Sequence, residues 1–208
     1  MIKIRIESIR RGSMLLFIMI FILSSCKTSH QALVPSSYDK ESISTSATRV
    51  GSQYGVNRVK EYDVAHRDIP KSFDGKTVLF LSDTHYPSLF QTADLTGLIE
   101  LLKTLSFDIL CLGGDYHEDI NLIDKLFDNL GTIVPKLGAY AVMGNNDYER
   151  GYEQVVQAMK RNHIQLLEHQ VAVVRSGKSS IQLAGIRNPF NLKKNGTSPT
   201  LSLPDKDF

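Results

Sequence analysis

Between residues 76 and 188 the chain switches repeatedly between two hydrophobic periods. KTVLFLSD is a near-continuous apolar run with β-branched and aromatic residues, the composition of a strand covered on both faces. In TADLTGLIELLKTLS the apolar residues fall at 95, 98, 99, 101, 102 and 105, the stripe of an amphipathic helix. FDILCLGGD repeats the buried strand. INLIDKLFDNLG repeats the helical stripe at 120, 122, 123, 126, 127 and 130, with Gly131 as its C-cap. LGAYAVMGN predicts a third buried strand and GYEQVVQAMKRN a third helix. HIQLLE, QVAVVRSG and SSIQLAGI read as strands, the last two as a hairpin closed near Ser176-Gly177.

Strand and helix alternating about every 30 residues imply right-handed βαβ crossovers and a parallel sheet, so the predicted class is α/β. Upstream, RVKEYDVAHRDIP alternates well enough for a half-exposed strand, and SFDG reads as a turn. The folded domain is therefore expected over 58–208. Residues 27–57 are rich in Ser, Thr, Gln and Gly and read as a flexible tether. Residues 1–26 have the pattern of a targeting segment. A basic MIKIRIESIRR precedes the apolar run MLLFIMIFIL, which suits a signal-peptide core and falls short of the roughly 20 residues of a membrane span. The following LSSC resembles a bacterial lipobox, which implies cleavage before Cys26 and lipidation of its sulfur. The other reading is an uncleaved anchor helix. Either puts the remaining chain at a membrane surface in the cell envelope, outside the cytoplasm.

Composition changes this picture little. The chain has 208 residues, 42% apolar and 22% charged, enough for one domain with a tail. Its net charge of +2 leans on Lys3, Arg5, Arg10 and Arg11 in the leader and gives no basis for nucleic-acid binding. The two cysteines, Cys26 and Cys111, stand in unlike contexts, which argues against a disulfide framework. Cys111, in mid-strand, is expected to be buried and inert.

Candidate chemistry lies where the three buried strands end: SDTH, GGD and GNND. Carboxyl ends of neighbouring parallel strands share one edge of the sheet, and ligands bind there. Asp83, His85, Asp115 and Asn145 are therefore expected to converge. An extended backbone would point residues 83 and 85 the same way. Gly113, Gly114 and Gly144 would allow close approach at sharp turns. Two carboxylates, an imidazole and an amide oxygen make a hard-to-borderline ligand set for a divalent metal. Each piece also has a plain structural reading: Asp as a helix N-cap, Asn after Gly as a turn residue, a lone His as surface. Recurrence at three successive strand ends favours the metal.

In order and spacing, SDTH, GGD and GNND resemble the calcineurin-like metallophosphoesterases. The contexts FLSDTHYPS, LGGDYHE and VMGNNDY most resemble the membrane-associated bacterial branch, which includes lipid-precursor pyrophosphatases. The resemblance covers residues 77 to about 188. It implies an α/β/β/α sandwich whose N-terminal βαβαβ half is present, and two divalent ions (Mn, Fe or Zn). Asp83 and His85 would serve the first ion, Asp115 would bridge, and Asn145 would serve the second. Two such ions would clamp a phosphate and generate a hydroxide for in-line attack. The implied partner is a phosphate-ester substrate, a phosphodiester or pyrophosphate, with a lipid-linked one among the candidates.

Two departures from the family pattern bear on activity. Asn146 stands where the family has a histidine that steadies the phosphate or protonates the leaving oxygen. An amide can donate a hydrogen bond there but cannot deliver a proton near neutral pH. Asn146 is thus the expected catalytic residue facing substrate, while Asp147 either supports its amide or caps a helix starting near Tyr148. No Gly-His-x-His follows His169, so the expectation is a chain truncated before the C-terminal histidine motifs. A degenerate member that binds metal or phosphate without turnover is the alternative. His163 and His169 are expected at the surface, His117 is a candidate pocket residue, and Lys193 and Lys194 are expected to be solvated.

Overall fold

The computed structural model describes residues 2–8, 42–53, 56–88 and 92–187, with side-chain surroundings for 60–88 and 94–187. In chain order the elements are β1 (Ile2–Ser8), β2 (Ser42–Gln53), β3 (Val56–Ala65), β4 (Thr77–Ser82), α1 (Thr92–Thr104), β5 (Ile109–Leu112) and α2 (Ile123–Leu130). They continue as β6 (Ala139–Ala141), α3 (Asn145–Glu149), α4 (Tyr152–Arg161), β7 (Ile164–Leu166), β8 (Gln170–Ser176) and β9 (Ser179–Gly185).

One sheet runs β2-β3-β1-β4-β5-β6-β7, and β8 and β9 pair separately. Strands β4 to β7 are parallel, as the crossovers require. β1 is parallel to β4 and antiparallel to β3, and β2 lies antiparallel on β3. The near-continuous apolar runs now have their reason, because both faces of the central strands are covered. Leu79 and Leu81 of β4, with Leu110 and Leu112 of β5, join a core with Leu98 and Leu102 of α1, Leu126 and Phe127 of α2, and Val155 and Met159 of α4. The alternate residues Ile109 and Cys111 face the other way. There they pack with Phe73, Leu167 and the inward side of the hairpin, Ala172, Val174, Ile181 and Leu183. Helices on one face and a second sheet on the other are the layers expected of an α/β sandwich.

The hairpin turns at Gly177 and Lys178, one residue beyond the expected closure. Cys111 is buried, and burial pushes its thiol up to about 12. Parts of the expected leader and tether are described. Ser42–Gln53 and Ile2–Ser8 are strands. SISTSATRVGSQ carries β-branched residues at 43, 45, 48 and 50, and IKIRIES alternates apolar with charged, so both can pair despite their polarity. The apolar run, the lipobox and Cys26 lie outside the described residues, as do Lys193 and Lys194. Among the described residues no helix is long and apolar enough to cross a membrane.

Candidate metal centre

Three loops leave the carboxyl edge of the parallel sheet side by side: 83–86 after β4, 113–118 after β5, and 142–144 after β6. Backbone hydrogen bonds carry the sheet pairing into the loops. Asp83 N–H donates to Gly114 O at 3.0 Å, His85 N–H to Asp115 O at 3.0 Å, and Tyr86 N–H to Tyr116 O at 3.0 Å. Gly114 and Gly144 back directly onto each other. A Cβ on Gly114, whose φ is +94°, would meet Gly144 N at 2.2 Å, and a Cβ on Gly144 would meet Asp115 Oδ1 at 2.1 Å. Side chains at these two positions would push the second and third strand ends apart.

Asp83, His85 and Asp115 come together, with one ligand atom of each within 4.8 Å of the others; among the described residues this is the group of His, Cys, Asp or Glu arranged to hold a metal ion. The geometry is not the extended one expected. All three residues have positive φ: 57° for Asp83, 40° for His85 and 55° for Asp115. Left-handed backbone is unfavourable for residues with a Cβ, and such strain gathers at functional sites.

His85 Nε2 lies 3.9 Å from Asp83 Oδ1 and 3.9 Å from Asp115 Oδ2. That is too long for a hydrogen bond. It suits donors sharing an ion, because atoms each about 2.1 Å from a cation stand about 3–4 Å apart. On the far side of the ring, His85 Nδ1 is 2.6 Å from Glu118 Oε1. A carboxylate on one imidazole nitrogen sets the tautomer and leaves the other nitrogen's lone pair for a metal. Sequence reasoning missed Glu118. Its signal was the carboxylate three residues after Asp115, legible only once the loop was known to fold back onto His85.

Asn146 belongs to the same network. Its Nδ2 donates to Glu118 Oε1 at 3.1 Å and lies 3.2 Å from His85 Nδ1, while its backbone N–H donates to Asp115 Oδ1 at 3.1 Å. Asn145 Nδ2 donates to Asn146 Oδ1 at 3.0 Å. The helix that these residues open, α3, starts at Asn145 rather than near Tyr148. Asp147 takes the capping role, with a wider reach than one helix end. It is fully buried and accepts N–H bonds from Gly144 at 2.8 Å, Asp115 at 2.8 Å and Tyr116 at 3.0 Å. Burial raises its carboxyl to about 7, against the pull of those three donors toward the ionised form. Burial also raises Asp115, and the negative charges of Asp83 and Glu118 add to the effect. Crowded carboxylates held from water in this way favour a cation among them.

His117, His163 and His169 are not among the three grouped residues. His117 is fully buried, and its Nε2–H donates to Arg150 O at 2.9 Å. His163 is exposed in the turn after α4, and His169 is half-buried before β8. On the flank of α3, Tyr148 and Tyr152 stack with ring centroids 5.6 Å apart. Both hydroxyls donate to Glu168, which also accepts from Arg187 Nε at 3.1 Å. This staple ties α3 and α4 to the turn before β8 and to the end of β9.

The chain is 25% identical over 134 residues to a transmembrane protein with metallophosphoesterase domain of Danio rerio, covering 61% of this chain and 31% of that protein. It is 26% identical over 132 residues to an uncharacterised metallophosphoesterase of Bacillus subtilis, covering 61% and 48%. A third, an uncharacterised metallophosphoesterase of Helicobacter pylori, is 22% identical over 125 residues, covering 60% and 33%. The chain thus spans about a third to a half of the length of these relatives. No solved structure matches. The family model for calcineurin-like phosphoesterase matches residues 76–200, the stretch that supplies all three strand-end loops, and the chain therefore belongs to that family.

Proposed function

We propose that this protein is a metal-dependent phosphoesterase that hydrolyses a phosphodiester or pyrophosphate. The observation that carries the reading is the placement of His85 Nε2 at 3.9 Å from two carboxylates, with Nδ1 held by Glu118. In this reading Asp83, His85 and Asp115 would hold a divalent ion, and Asp115 with Asn145 would serve a second. Divalent ions at such a site supply Lewis acidity and lower the pKa of bound water. The chain's own residues supply the positioning. Glu118 fixes the His85 tautomer, and Asp147 holds the Asp115 loop against α3. The Asn146 amide keeps the Glu118 carboxylate in place and offers a donor toward substrate oxygens.

An amide cannot protonate a leaving oxygen, so substrates with low-pKa leaving groups should react best. With Mn²⁺ supplied, bis(4-nitrophenyl) phosphate should be cleaved much faster than an alkyl monoester. Equal rates on the two would remove the role given to Asn146. Metal binding without turnover of either substrate would favour a degenerate member of the family.

A lipid-linked substrate and an envelope location belong to the same proposal, supported by the lipobox-like LSSC and by the basic-apolar leader. Cleavage before Cys26 would remove β1 from between β3 and β4, so anchor and strand exclude each other. Intact-mass analysis of the mature protein decides between them. The anchor reading expects an acylated Cys26 as first residue, whereas retention of Met1–Ser8 would overturn it.

A further inference from the structure

Arg150 touches the metal centre's network without being part of its ligand set. Its backbone is pinned at two points: the N–H donates to Asn146 O at 2.8 Å, and the carbonyl accepts from His117 at 2.9 Å. The side chain leaves this fixed point toward the loops at the carboxyl edge. One guanidinium nitrogen, Nη1, lies 3.2 Å from Glu118 Oε2, while the Arg150 side chain stays 59% exposed. Glu118 Oε1 is meanwhile occupied by His85 and Asn146. Arg150 brings a cationic side chain into contact with a group that carries Asp83, Asp115 and Glu118.

The electrostatics of an anionic substrate give this residue a task. A phosphate ester approaching Asp83, Asp115 and Glu118 meets three negative charges beside whatever cation they hold. A guanidinium presents five donors in a planar fork suited to two phosphate oxygens, and one contact to Glu118 leaves most of that fork for a ligand. Arg150 is the extended residue that ends the short helix opened by Asn145, and its guanidinium and the Asn146 amide reach the same carboxylate from the two ends of that helix.

We infer that Arg150 is a substrate clamp that grips the non-bridging oxygens of the phosphoryl group. The clamp deepens the phosphoesterase reading and rests on it. Glu118 holds the guanidinium at the mouth of the site until the anion arrives. The substrate class that follows has two free oxygens on the reacting phosphorus, or a neighbouring phosphate that supplies them.

Isothermal titration of the full chain loaded with Mn²⁺ against inorganic phosphate tests this directly, with Mn²⁺ affinity measured separately. Arg150→Ala should weaken phosphate binding on the order of tenfold or more. Arg150→Lys should recover part of that loss, and Mn²⁺ affinity should change little in either variant. Unchanged phosphate affinity in Arg150→Ala would overturn the clamp and leave the phosphoesterase reading standing. Loss of phosphate and Mn²⁺ binding together would also overturn it, because Arg150 would then act through Glu118 and His85. A wild-type chain that binds Mn²⁺ but not phosphate would remove both readings.

Discussion

Glu118 carries three neighbours on two oxygens: His85 and Asn146 on Oε1, Arg150 on Oε2. The carboxylate is half-buried, so its charge acts in a setting less screened than bulk water. Glu118→Gln would keep the shape and remove the charge. His85 Nδ1 would lose its charged acceptor and face an amide that can offer either its oxygen or its N–H, so the tautomer would no longer be fixed and Nε2 would face the carboxylates as a donor part of the time. Mn²⁺ affinity should fall about 10- to 100-fold, the range seen when such an orienting partner is lost. Calorimetric titration of Mn²⁺ reads this without reference to turnover, and an affinity within about twofold of wild type would refute the orienting role. The ligand-type residues Asp83, His85 and Asp115 were legible in the sequence because each ends an apolar run. Glu118 was not, because its value depends on a loop folding back 33 residues to His85.

At the scale of elements, the site depends on α3, five residues long, whose start the sequence placed near Tyr148 rather than at Asn145. So short a helix has too few positions to show a period, and three consecutive polar residues hide its start. What holds it is Asp147, which joins the turn before α3 to the loop after β5 by three backbone acceptor bonds. Asp147→Ala would strand three buried N–H groups, each costing about 1–3 kcal/mol, so stability should drop by about 3 kcal/mol or more. Urea denaturation measures this, and a loss below about 1 kcal/mol would mean that water or another acceptor replaces the carboxylate. The β8–β9 hairpin was the opposite case. Its seven-residue strands alternate inward and outward clearly enough to be read from the sequence.

For the whole molecule, the carboxyl edge concentrates acid groups whose charge the fold alone does not balance. Asp147 is raised to about 7 and Asp115 is raised as well, both chiefly by burial. A carboxyl with a higher pKa folded than unfolded binds more protons in the native state. Between the unfolded value near 4 and about 7, stability of the metal-free protein therefore falls as pH rises, then levels off. A divalent ion favours the ionised carboxylates and opposes this trend. Chelated protein should melt at a lower temperature at pH 7.5 than at pH 5, and Mn²⁺ should raise the melting temperature more at pH 7.5. A chelated protein more stable at pH 7.5, with no larger metal effect there, would show that the three backbone donors to Asp147 already outweigh burial.

The sequence by itself determined the α/β class, the order of the central strands and helices, and the residue types at three strand ends. These are local properties: the periods of apolar residues and the polar residues that interrupt them. Only the tertiary structure decided how those ends meet. The left-handed turns at Asp83, His85 and Asp115 depend on paired loops that hold each strained residue in place. The contact of Gly114 with Gly144, the closure of Glu118 on His85, and the reach of Arg150 to Glu118 join residues about 30 positions apart. No periodicity encodes such distances. They follow from the parallel sheet, which sets separate strand ends beside one another and lets their loops share one small volume.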